Sequence, residues 1–150
     1  MNFTVNTVSA SLAAYLAPLF PLVAFYQDPN QQGTEPPCMF LQQRYSNIRQ
    51  ETGGFFLRTI GFDLTYLVDY HLPDLQRLYQ SAAEILDIAM ETFPYTDGET
   101  KPPVMVRTHQ REWRIDLDAL HYKFELQERV SIPKDFPTMQ TIAEYNEGVR

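Results

Sequence analysis

Three histidines, one cysteine and a scatter of carboxylates are the groups from which this chain would have to build any chemistry. His71, His109 and His121 stand far apart, with no HExxH or HxH spacing to set two imidazoles on one face. The nearest approach to a metal-ligand pattern is Asp116-x-Asp118-x-x-His121. On a strand the two carboxylates would point the same way, and His121 would sit across a turn. Asp at a strand end is also ordinary turn chemistry, and no further ligand pattern accompanies these three. Cys38 as a nucleophile would need a base and an oxyanion site. It follows Pro36-Pro37 at the start of a strand, where a small packing residue is the simpler expectation. Because it is the only cysteine, no intrachain disulfide or cysteine-based zinc site is possible, and a reducing cytoplasm is the natural place of synthesis. There is no GxSxG, Walker-type loop or GxGxxG, and Gly53-Gly54 lacks a following Lys or Ser and reads as a turn. The expectation is a protein without catalytic residues, cofactor or metal.

Charge narrows the partners. The net charge is −7, and Asp74, Glu84, Asp87, Glu91, Asp97 and Glu99 stand against only Arg77 and Lys101 in the stretch 73–103. Nucleic-acid binding is driven by neutralising phosphates and calls for a basic face, which the sequence does not show. An acidic surface would repel DNA and suit a passage to which DNA must not stick. Val8–Tyr26 carries no charge and is long enough for a bilayer. Pro18 and Pro21 interrupt it, Ser9 and Ser11 dilute it, and no Lys or Arg precedes Arg44, so a buried helix followed by a strand explains it better than membrane insertion.

The elements that would position these residues follow from periodicity. Val5, Val8, Leu12 and Leu16 fall at helical spacing, with Asn2 or Thr4 as cap and Pro18 as stop, which predicts a helix over 4–16. Leu22–Tyr26 reads as a short buried strand, and Gln27–Pro37 as a loop in which Gly33 is the position most in need of positive φ. Phe56, Ile60, Phe62, Leu64, Tyr66 and Val68 alternate with Thr59, Gly61, Asp63 and Thr65, a two-faced strand broken only by Arg58. With Cys38–Arg49 and the turn Glu51–Gly54 it predicts a long β-hairpin that protrudes, carrying Arg44, Arg49 and Arg58 toward its tip. Pro73 opens a second helix whose stripe Leu75, Leu78, Ala82, Ile85 and Ala89 faces the sheet, with Asp74, Glu84, Asp87 and Glu91 outward and Phe93-Pro94 as stop. Tyr95–Pro103 reads as a polar loop, Val104–His109 and Glu112–Leu117 as a hairpin around Gln110-Arg111, and Leu120–Val130 as a last alternating strand. The order α-β-β-β-α-β-β-β implies an α+β fold, a largely antiparallel or mixed sheet with two helices on one face. Residues 1–130 form one domain on this reading, and 131–150 an extended C-terminal arm.

The segment Phe25–Gln43, FYQDPNQQGTEPPCMFLQQ, resembles small phage tail terminator proteins of tailed phages and prophages. Tyr26, Asp28, Gln32, Gly33, Glu35, Pro37, Cys38 and Phe40 occupy the places of that family's aromatic-acid, Gln-Gly and Glu-Pro-Cys pattern. Asp118-Ala119-Leu120-His121-Tyr122 is similar to its Asp, then Leu-His-aromatic segment. Pro36-Pro37 is doubled where one Pro is usual, and 131–150 run past the usual end. The resemblance implies a structural virion protein, made in the host bacterial cytoplasm and located in the tail or neck. It implies a hexameric ring, closed by head-to-tail contacts, that caps the tail tube, stops its polymerisation and provides the head-joining surface. The implied partners are other copies of the chain, the tail tube protein, a head-completion or connector protein and, in a contractile tail, the sheath protein. DNA would pass through the lumen without specific contact. Interface residues expected on this basis are Arg44, Arg49, Gln50, Phe55, Phe56 and Arg58 at the hairpin, and Ile132, Phe136, Met139, Ile142 and Tyr145 on the arm. Two alternatives stand beside it: another neck connector, which would also be oligomeric, and an enzyme or regulatory domain, which would show a deep polar pocket.

Overall fold

A computed structural model describes residues 3–27, 35–69, 71–98, 102–116 and 118–131. The elements follow the chain as α1 (Val5–Leu16), β1 (Ala24–Tyr26), β2 (Cys38–Gln50), β3 (Phe55–Leu67), α2 (Leu75–Ala89), β4 (Thr92–Tyr95), β5 (Val104–Arg107), β6 (His109–Asp116) and β7 (Ala119–Ser131). Five strands form one mixed sheet in the order β1-β2-β3-β7-β6, and β4 pairs with β5 in a separate ribbon. The fold is α+β, as the periodicities imply.

β3 is the spine of the sheet, paired antiparallel with β2 from Phe56 to Leu67 and with β7 from Phe55 to Tyr66. Its even-numbered side chains meet the helices: Ile60, Phe62 and Leu64 are buried beside Leu120, Tyr122, Phe124 and Leu126 of β7. The Phe62 and Phe124 rings stack at 5.6 Å between centroids. Burial on this scale stabilises by about 1.5–3 kcal/mol per large side chain. β2 reaches β3 through Thr52–Gly54, where Gly53 and Gly54 hold φ of 78° and 79°, a region that disfavours a Cβ.

The helix layer is fixed by tyrosines that carry a hydroxyl into the core. Tyr79 of α2 is fully buried, accepts from the Val68 amide at 3.1 Å and donates to the Asp118 carbonyl at 2.9 Å. Tyr15 of α1 donates to the Ala89 carbonyl at the end of α2, and Tyr95 of β4 donates to Thr7. α1 begins with a capping box in which Thr4 and Thr7 bond each other's backbone amides. Asp87 of α2 accepts from Tyr122 at 2.8 Å and from the Trp113 indole at 3.1 Å, so it clamps the helix to the sheet where the sequence set it outward.

Further expectations are corrected. The buried face of α2 is Tyr79, Ala82, Ala83 and Leu86, while Leu78 and Ile85 are exposed. The helix carries two apolar stripes, and the one led by the bondable Tyr79 is inside. It starts from Asp74 as cap, with Pro73 in the turn before it. Phe93-Pro94 does not end a helix but sits in β4, whose ladder partner is β5. The pairing expected between Val104–His109 and Glu112–Leu117 is therefore absent, because the chain changes sheets at Thr108. The Thr108 amide bonds the Glu91 carbonyl at 3.1 Å, and its buried hydroxyl bonds the Met90 carbonyl. β6 then pairs with β7 alone, through a bulge at Gln110. β1 is a half-exposed edge strand, parallel to β2, and not the buried strand expected.

The sheet outruns its helices. Thirteen residues at about 3.3 Å each give β3 roughly 43 Å, against roughly 22 Å for the fifteen residues of α2. Nine consecutive residues of β2, Gln42–Gln50, are accordingly exposed.

The assignment of the α2 faces is testable by chemical denaturation. Leu86→Ala is expected to cost about 2–5 kcal/mol, and Ile88→Ser, at a position 83% exposed, less than about 0.5 kcal/mol.

Candidate functional site

The face of the sheet away from the helices carries the polar chemistry, and it is more buried than alternation suggests. Thr59, Asp63 and Thr65 of β3 are all buried polar residues. His121 of β7 lies opposite Thr65 in the ladder, and its Nδ1 stands 2.9 Å from Asp63 Oδ2. Its Nε2 stands 3.3 Å from Asp116 Oδ2, and Arg114 contacts the other Asp116 oxygen at 3.2 Å. The Thr65 hydroxyl donates to Asp63 at 3.2 Å. Of the expected set Asp116, Asp118 and His121, the structure thus unites the first and last. It replaces Asp118 with Asp63, which no local spacing revealed because it comes from a different strand. Asp118 instead supplies the carbonyl that Tyr79 bonds.

This row cross-ties β3, β7 and β6. Both imidazole nitrogens face carboxylates, Nδ1 that of Asp63 and Nε2 that of Asp116. Among the described residues no group of three His, Cys, Asp or Glu is arranged to hold a metal. His71 and His109 lie apart from it, one in the turn after β3 and the other at the start of β6. Cys38 is fully buried, and burial pushes its thiol above the ordinary value, which suits a packing residue.

Beside the cross-tie lies a shallow polar hollow of about 460 Å³, lined by Arg44, Tyr45, Gly61, Glu112, Lys123 and Glu125. The Tyr45 ring lies over Gly61, where a Cβ would approach it to 2.3 Å, so glycine is what lets the ring lie flat. Its hydroxyl donates to Glu125, and that bond is the main cause that pushes the phenol up to about 12. The opposing charges of the hollow come from neighbouring strands.

The residues expected at an interface separate into groups. Gln50, Phe55 and Phe56 do meet at the tip, where Phe56 lies between Gln50 and Val130, and Phe55, 50% exposed, lies opposite Ser131. Arg49 is exposed beside them. Arg58 reaches back to Glu128 at 3.4 Å. Arg44 is not at the tip: it is the extra residue of a bulge between Gln43 and Tyr45, with its guanidinium 6.0 Å from the Tyr45 ring. Ile132, Phe136, Met139, Ile142 and Tyr145 lie outside the described residues, as do Asp28, Gln32 and Gly33 of the expected loop. No helix among the described residues is long and apolar enough to cross a membrane.

If the cross-tie is structural, Asp63→Ala will lower unfolding stability by about 2–4 kcal/mol, since it strands buried partners. Asp118→Ala will stay within about 0.5 kcal/mol, because its backbone makes the bond. Cys38 provides a second check, as iodoacetamide at pH 8 will label it only after unfolding. Rapid labelling of the native chain would contradict its burial.

A family model described as phage tail terminator protein matches residues 6–138, past the end of β7. No curated protein matches the chain at a significant level.

Proposed function

The chain belongs to the phage tail terminator family and is on that ground a structural protein of the phage tail, and on that premise we propose that it closes into a hexameric ring that caps the tail tube. The ring would stop tube polymerisation on one face and offer a head-joining surface on the other. Its partners would be the tail tube protein, a head-completion or connector protein and, in a contractile tail, the sheath.

The observation that carries this reading is that the main sheet has two bare and unlike edges. β1 covers only Cys38–Phe40 of β2, which leaves the edge from Leu41 to Gln50 without a ladder partner among the described residues. On the far side β6 has none beyond β7 among the described residues. Unpaired strand edges are templates for association. A two-fold dimer needs one self-complementary patch, whereas a rotating head-to-tail contact needs two different ones on opposite sides of the subunit. β2 runs antiparallel to β3 and β6 to β7, so the β6 edge of one copy can meet the β2 edge of the next as a further antiparallel pair. The bulge at Arg44 and the charges on both edges limit indiscriminate pairing. The net charge of −7 favours a lumen that DNA crosses without sticking. On this account the tip residues Arg49, Gln50, Phe55 and Phe56 meet an adjoining copy or ring, and Ile132, Phe136, Met139, Ile142 and Tyr145 of the arm bridge to a neighbour.

Light scattering of the purified chain, alone and with tail tube protein, should give a mass near six copies. Phe55→Asp should leave the unfolding transition in place and reduce assembled rings severalfold. A chain that stays monomeric in both settings, or assembly indifferent to the new charge, contradicts the proposal.

A further inference from the structure

The two open edges of the main sheet match in length and in charge. Each edge strand is interrupted once, β2 by the bulge at Arg44 and β6 between His109 and Glu112. Past the interruption each keeps one regular stretch, Tyr45–Gln50 on β2 and Glu112–Asp116 on β6. An added strand needs such a stretch, because a bulge leaves a residue unpaired. Arg49 and Glu112 are both exposed, and neither forms an ion pair with another described residue.

Backbone polarity fixes which residues can bond outward. The Glu51 amide donates to the Phe55 carbonyl. Alternation from that bond turns the N–H and C=O of Ser46, Ile48 and Gln50 away from β3, toward the open edge. Carried across the unbroken β3–β7 ladder, the same alternation turns those of Trp113 and Ile115 toward the open edge of β6. The side chains agree. Ile48, 48% exposed, lies on the helix side opposite Arg58, and Trp113 and Ile115 lie on that side opposite Tyr122 and Leu120.

One antiparallel register keeps these faces matched and uses all five regular residues of β6. It sets Ser46 against Ile115, Ile48 against Trp113 and Arg49 against Glu112. A shift of one residue would send every side chain to the wrong face. A shift of two sets Arg49 against Arg114 in one direction and runs into the Arg44 bulge in the other.

We propose that copies of this chain join in this register, with Glu112–Asp116 of one lying antiparallel to Tyr45–Arg49 of the next and the Arg49–Glu112 ion pair selecting the alignment. The contact rests on the head-to-tail closure proposed above and names the residues that make it. The Ser46–Ile115 and Ile48–Trp113 rows exchange the backbone bonds, and the rows between them bring side chains closest.

Asn47→Cys combined with Arg114→Cys tests the register, since this row stands at about 4.5 Å between Cα atoms, within reach of a disulfide. Oxidised assemblies should run on a non-reducing gel as a ladder of linked copies. Asn47→Cys with Glu112→Cys, or with Asp116→Cys, should stay largely unlinked, and the fully buried Cys38 takes no part. Arg49→Glu and Glu112→Arg should each raise the concentration for half-assembly roughly fivefold, and together they should restore the parent value. Assemblies of parent mass that link off register or not at all would overturn the register and leave the ring standing. So would charge reversals whose losses add instead of cancelling. Linking at 47 and 114 in an assembly of another size would uphold the contact and contradict the hexamer. A parent chain that stays monomeric, alone and with tail tube protein, contradicts both.

Discussion

The pairing of β3 with β7 sets nearly everything else in this molecule. Twelve consecutive residue pairs, from Phe55–Ser131 to Tyr66–Leu120, run without a break between the two central strands. Alternation then places Phe62 and Phe124 together under the helices and brings Asp63 and Thr65 to His121 on the other face. A slip of one residue would turn the aromatic row outward and bring the carboxylates into the core. The apolar row and the carboxylate–imidazole row oppose that slip together, one through burial and the other through partners that exist only in this register. The tyrosines of the helix layer depend on the same frame, because Tyr79 bonds the Asp118 carbonyl just ahead of β7 and Asp87 bonds the Tyr122 hydroxyl.

A sheet this long beneath helices this short produces the division that matters for assembly. Its lower half is a closed core with helices on one side and the cross-tie on the other. In its upper half β2 is exposed on both faces from Gln42 to Gln50, and the hairpin ends in Phe55 and Phe56. Such a surface adds little to the stability of an isolated domain, and exposed phenylalanines forgo about 25 cal/mol for each Å² left in water. On the proposed ring, contact with other subunits would account for its length where internal packing does not. The hollow around Tyr45 is consistent with this: it is shallow, and its charges are matched within the sheet.

Much of the fold was legible in the residues. Alternation in 56–68 and 120–130 marks β3 and β7, and the helical spacing from Val5 to Leu16 marks α1, because each depends on period alone. β4 was hidden by Pro94, which reads as a stop when the partner strand is unknown. Thr108 looked like part of a strand, although its bonds to Met90 and Glu91 make it the point where the chain changes sheets. Hydropathy does not reveal the inner face of α2, because Leu78 and Ile85 are more apolar than Tyr79, while Tyr79 finds two polar partners inside. The cross-tie was half visible. Asp116 and His121 stand near each other in sequence, but Asp63 arrives through a register that sequence does not state. Glu128 carried no local signal at all, since its partner Arg58 reaches it only across the ladder.

The central claim is that this chain forms the ring that ends a tail tube. Electron cryomicroscopy of the assembled particle tests it most directly, with the density of each ring near the tube end fitted by the chain. The account predicts six copies in one closed ring at the end of the tube, with the β2 edge of each facing the β6 edge of the next. Density for the chain at another level of the particle, or a ring of another symmetry joined through other surfaces, would contradict it.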